Sequence, residues 1–151
     1  EAYALRQAEG KALSIAALYP NAAVLAADQV AVVGDPPKLL TKPGSKEHAV
    51  QQLMRLSGRQ HRLVNGVALA VGGRLRTEVD VQTLTMRAFD EDEARAYVER
   101  FSPLECVGSY RIEDAGVKLF ESISGHDQTG IVGLPLLACC RLLRLEGLLT
   151  P

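Results

Sequence analysis

Asp28 and Gln29 stand inside an apolar run, Leu25-Ala26-Ala27-Asp28-Gln29-Val30, where a carboxylate must be solvated, paired or used. Burying it alone costs several kcal/mol. A carboxylate on or beside a strand can orient and deprotonate water or hold a divalent cation. An aspartate that bonds its own backbone in a turn accounts for the same residue equally well. Lys42, directly before Pro43-Gly44, is a candidate phosphate contact, against the plainer reading of a solvated loop lysine. Lys11, in a helical segment, reads first as a surface lysine with its stem laid along apolar surface. Glu113, two residues after Arg111, can pair with that arginine or bind a ligand, and the pair is the simpler expectation.

Other chemistries lack support. His48, His61 and His126 lie far apart, and none is at metal-ligand spacing from another or from a cysteine, which argues against a zinc site. Cys139-Cys140 falls in an apolar helical stretch, where cysteines act as small buried hydrophobes. Neither a Gly-Xaa-Ser-Xaa-Gly elbow nor a Gly-rich phosphate loop occurs. With 17 basic and 18 acidic residues the net charge is −1, so the bulk positive field of a nucleic-acid binder is absent. Three cysteines without CxxC spacing point to a reducing compartment and a cytoplasmic location. Apolar stretches are interrupted too early for a membrane span or signal peptide.

These residues need elements to hold them, and 151 residues with 47% hydrophobic and 23% charged side chains suffice for a single core. Residues 2–18 carry Leu5, Ala8, Ala12, Ile15 and Ala16 at helical spacing, stopped by Tyr19-Pro20-Asn21. Residues 23–27 and 30–33 read as short strands separated by Asp28-Gln29, with a turn after them at 34–37. Ser45 caps a helix that buries Ala49, Val50, Leu53, Met54 and Leu56 and ends at Gly58. Residues 62–71 and 75–87 form a hairpin around Gly72-Gly73, with Val79, Val81, Thr83 and Thr85 alternating on one face. Asp90 and Glu93 make a capping pair for a helix through about residue 100, ended by Ser102-Pro103. A strand is expected near 117–123 and an apolar helix over 134–146, closed by Gly147. The alternation predicts one mixed α/β domain.

Taken together, "RQAEGKA" (6–12), "AADQV" (26–30), "TKPGSKEHAVQQLMRLSG" (41–58), "VNGVALA" (64–70), "TEVDVQTLTMR" (77–87), "CVGSYRIEDAG" (106–116), "LFESISGHD" (119–127) and "IVGLPL" (131–136) resemble the Maf family of nucleoside triphosphate pyrophosphatases over nearly the whole chain. The resemblance implies an α/β fold like that of inosine triphosphate pyrophosphatase: a mixed central β-sheet flanked by helices, in one domain over residues 1–151. It implies hydrolysis between the α and β phosphates with a divalent metal such as magnesium or manganese. Asp28 becomes the general base, Lys11 and Lys42 phosphate contacts, and Gln29 and Glu113 the residues that set base preference. Gln at 29 and Glu at 113 resemble the branch acting on 7-methyl-GTP, giving 7-methyl-GMP and pyrophosphate, rather than the dTTP/UTP branch. The implied partners are a nucleoside triphosphate and, in a homodimer, a second copy, with neither nucleic acid nor membrane. The family's first strand and arginine-containing phosphate loop have no counterpart upstream of Glu1, so N-terminal truncation and a catalytically silent nucleotide-binding remnant are further expectations. Gln128-Thr129-Gly130 replaces the asparagine-containing stretch usual before Val-Gly-Leu-Pro.

Overall fold

In the computed structural model, which describes residues 1–150, the order is α1 (Ala2–Leu18), β1 (Val24–Val33), β2 (Lys38–Leu40), α2 (Lys46–Leu56), β3 (Gln60–Val71), β4 (Arg74–Met86) and α3 (Glu91–Phe101). A 3-10 turn (Gly116–Leu119), β5 (Phe120–Ser124), a second 3-10 turn (Gln128–Val132) and α4 (Leu136–Leu145) complete it. The strands form a sheet in the order β2-β1-β3-β4-β5, so the α/β class with helices flanking a central sheet is borne out. Among the described residues no helix is long and apolar enough to cross a membrane. The chain groups into two compact units, one of residues 1–29, 64–82 and those from 125 onward, the other of residues 30–63 and 83–124.

The first unit is layered because its strands alternate. Ala26, Ala68 and Ala70 turn to α1 and meet Ala8, Ala12 and Ala16. Leu25, Ala27, Val67 and Leu69 turn the other way, to Ala138, Cys139 and Leu142 of α4. The buried stripe of α1 is Ala4, Ala8 and Ala12, whereas Ile15 of the expected stripe is 45% exposed. Small side chains win this face because the helix lies so close to the sheet: a Cβ on Gly66 would stand 2.5 Å from the carbonyl of Ala4. At the other layer, Arg74 and Arg76 pair with Glu146 at 2.5 and 2.7 Å, and Arg141 pairs with Glu78, tying α4 to the hairpin.

The alternation of β4 is present, and its buried face is the polar-bearing one. Asp80, Gln82, Leu84 and Met86 are the buried residues, and the Val79, Val81, Thr83 and Thr85 face is only partly covered. Alternation gives the period correctly; it carries no information about which side is roofed.

In the second unit α2 and α3 pack together. Ser45 accepts the His48 N–H and Asp90 the Glu93 N–H, as their cap spacing predicts. The reciprocal bond from Glu93 is replaced by its pairing with Arg87. The turn at 34–37 leads into the unanticipated β2, whose Leu40, Leu39 and Lys38 pair antiparallel with Ala31, Val32 and Val33. The expected strand at 117–123 begins only at Phe120, because the chain first folds back tightly: Ala115 has φ of +57°, and a Cβ on Gly116 would lie 2.2 Å from the Arg111 carbonyl oxygen.

His61 is buried in this unit, its Nε2 2.7 Å from the Tyr110 hydroxyl and its ring against Tyr110 and Phe120. Burial lowers its pKa from 6.5 to about 4. The unfolded chain therefore binds the extra proton between those values, and stability falls as pH drops through that window. The loss attributable to His61 should reach about 3 kcal/mol at pH 4. Urea denaturation from pH 7 to 4 should show a shallower decline in His61→Gln than in the unsubstituted chain; parallel curves refute the assignment.

Candidate functional site

β1 does not end at Asp28. It runs unbroken from Val24 to Val33, with Asp28 and Gln29 inside it. Side chains of adjacent strand residues point to opposite faces, so the two are parted at once. Asp28 shares its face with Ala26 and meets α1: Lys11 Nζ donates to Asp28 Oδ1 at 2.6 Å and to the Ala27 carbonyl at 3.3 Å. The alanine stripe and Gly66 bring α1 near enough for that contact. The turn-forming aspartate does not describe what is seen, and Lys11 is a surface lysine whose head is paired with Asp28. The pair is not sealed, since the Asp28 side chain is 20% exposed and that of Lys11 55%. An ammonium held this way compensates the carboxylate while remaining open to exchange onto a phosphate oxygen.

Gln29 faces the α4 side. Its Nε2 donates to Asn65 Oδ1 at 3.1 Å and to the carbonyls of Gly130 and Ile131 at 2.8 and 3.3 Å. Asn65 Nδ2 in turn donates to Asp80 Oδ2 and to the Gly130 carbonyl, and Gln82 Nε2 donates to both oxygens of Asp80. Such a network is favourable only when its members are satisfied. Gly130 permits it, because a Cβ there would lie 2.2 Å from Asp80 Oδ2. Residue types and spacing alone do not single out Asn65, Asp80 and Gln82. The available signal is polar residues recurring at every second position of "VDVQT" and one inside the apolar run "LVNGV".

The segment 127–130 is firmly built. Asp127 accepts the Thr129 N–H and hydroxyl and, at 2.6 Å, the Leu137 N–H, while the Thr129 hydroxyl oxygen accepts the Leu136 N–H. It thereby caps α4, whose own N-cap, Pro135, offers no side-chain acceptor. Burial alone would raise the Asp127 pKa, but these hydrogen bonds outweigh it and hold the carboxyl below its usual value.

Lys42 and Glu113 belong to the second unit. Lys42 lies on the loop between β2 and α2, its Nζ 3.1 Å from Glu105 Oε2, both side chains well exposed. Glu113 is exposed, and Arg111 pairs instead with Asp114 at 3.0 Å. The expected Arg111–Glu113 pair is thus replaced by one at i, i+3 spacing. Of the candidate residues, Lys11 and Asp28 are brought into contact, and Gln29 is adjacent in sequence yet on the opposite face.

Among the described residues no group of three or more His, Cys, Asp or Glu side chains forms a metal cage. Asp28 nevertheless offers a partly exposed hard oxygen donor, which fits a magnesium-type ion bound through one carboxylate and substrate phosphates.

A family model described as Maf-like protein matches residues 1–146. A 7-methyl-GTP pyrophosphatase of Pseudomonas putida is 36% identical over 148 residues, covering 97% of this chain and 76% of that protein.

Proposed function

Since this chain belongs to the Maf family, we propose that it is a nucleotide pyrophosphatase that hydrolyses 7-methyl-GTP to 7-methyl-GMP and pyrophosphate in the cytoplasm. The observation that carries the reading is the Lys11–Asp28 contact at 2.6 Å. Asp28 accepts a proton from water as the water oxygen attacks the α phosphorus. The bond to the α–β bridging oxygen then breaks, and pyrophosphate leaves with the electron pair. Lys11 and Lys42 contact the phosphates, and Lys11, beside Asp28, offsets charge as it builds on the leaving group. A divalent cation held by Asp28 and the phosphates would supply further electrostatic stabilisation of that charge.

Gln29 and Glu113 set base preference in this reading. Gln29 acts by holding the Gly130–Ile131 turn, and Glu113 by offering a carboxylate to the base. The relative's activity on 7-methyl-GTP supports that substrate, and 36% identity leaves UTP and dTTP as the comparison that matters.

Pyrophosphate release with magnesium or manganese over a panel of 7-methyl-GTP, GTP, UTP and dTTP tests the proposal. Highest kcat/KM on 7-methyl-GTP is expected. Preference for UTP or dTTP overturns the substrate, and nucleotide binding without turnover overturns the catalytic role in favour of a silent binding domain.

A further inference from the structure

Gln52, half-buried on α2, makes two hydrogen bonds in different directions. Its Nε2 donates to the Thr41 carbonyl at 3.0 Å, and its Oε1 accepts the Ser109 hydroxyl at 2.7 Å. One side-chain amide thus joins the residue before Lys42 to the segment that leads into Glu113. The backbone adds a third tie between the same loops, from Gly44 N–H to the Leu104 carbonyl at 3.2 Å.

Ser109 gives the contact independent weight. It is fully buried and has φ of +60°, a region that glycine enters freely and a side chain enters at a cost. A serine in that conformation is explained by its hydroxyl, and the hydroxyl is engaged with Gln52. Beyond Ser109 the segment is pinned again, by the Tyr110 hydroxyl on His61 and by the Tyr97 hydroxyl, which accepts the Arg111 N–H and donates to the Arg111 carbonyl. Glu113 therefore projects from a stretch fixed at three successive residues.

We propose that Gln52 is a positioning residue for substrate binding, setting the Lys42 loop and the Glu113 segment in one geometry so that phosphate and base are gripped together. This rests on the reading of Lys42 and Glu113 as substrate residues. The contribution is to affinity and not to the attack on phosphorus, because Asp28 and Lys11 lie in the other unit and make none of these bonds.

Gln52→Met keeps the side chain's length and removes both bonds. Its KM for 7-methyl-GTP should rise about ten-fold, the scale of two neutral hydrogen bonds, with kcat within about two-fold. The Kd of the non-hydrolysable α,β-methylene analogue, measured by calorimetry, should rise by the same factor. Ser109→Gly supplies the second variant: it relieves the backbone, so thermal stability should hold, and still raises KM. A merely structural role lowers the active fraction and so reduces apparent kcat at unchanged KM; that result overturns the inference. If Gln52→Met leaves KM and Kd unchanged while Lys42→Ala and Glu113→Gln raise them, the positioning role fails and the proposed function stands. If all three leave both constants unchanged, the reading of Lys42 and Glu113 fails and takes the inference with it.

Discussion

Asp28→Asn should reduce turnover by about two or more orders of magnitude, the scale of losing a general base, while the fold persists. The amide preserves the volume and extended backbone of residue 28 and can still accept a hydrogen bond from Lys11 Nζ, now 2.6 Å from Oδ1. What it loses is the charge that takes a proton from water in the proposed mechanism, and the hard anionic donor that suits a divalent cation. Unfolding should move little, since a partly exposed ion pair contributes about 0–1 kcal/mol. The check is pyrophosphate release alongside a circular-dichroism melt. Near-normal turnover removes Asp28 from the chemistry; a collapsed melt makes it a structural residue.

Glu113→Gln should change which base is accepted more than how fast any nucleotide is cut. Guanine presents N1–H and the exocyclic amine side by side, and a carboxylate accepts both. Methylation at N7 places positive charge on the ring, which favours an anionic acceptor further. Glutamine offers one acceptor and one donor, a pattern matched to the N3–H and neighbouring carbonyl of uracil or thymine. Efficiency on 7-methyl-GTP should fall about ten- to hundred-fold, the scale of one charged hydrogen bond at about 1.5–3 kcal/mol. Efficiency on UTP should be far less affected. Arg111 is engaged by Asp114, so the carboxylate of residue 113 is not consumed by the arginine two positions away. An unchanged ratio of kcat/KM values between the two nucleotides refutes base reading.

The helices and the hairpin are legible because their signals are local. Ser45 and Asp90 cap α2 and α3, Gly58 closes α2 with φ of +68°, and Gly72-Gly73 turn the ribbon with φ of +55° and +75°. Sidedness is not legible. Whether Val81 or Gln82 is roofed depends on what lies across the sheet, and a side chain as large as Ile15 loses its place in the stripe to alanine because the helix packs at the distance Gly66 allows. The same limit applies to the site. Residue types point to Asp28 and Lys11 separately, but their contact spans 17 positions and depends on the packing of α1. Asn65, Asp80 and Gln82 stay hidden for a related reason: buried polar residues are read from sequence as exposed until their partners are known.

The parting of residues 28 and 29 by the pleat also shapes how this protein can change. Neighbours in the chain, they share no hydrogen-bond partner: Lys11 holds one, while Asn65, Gly130 and Ile131 hold the other. Substitutions at 29 or 65 therefore act first on the hydrogen bonds of one side of the strand, and those at 11 or 28 on the other. A one-residue insertion between 24 and 28 would do the opposite, turning the acid to the amide's face and the amide to the acid's. Diversification by replacement is thus open at this strand, and diversification by length is closed.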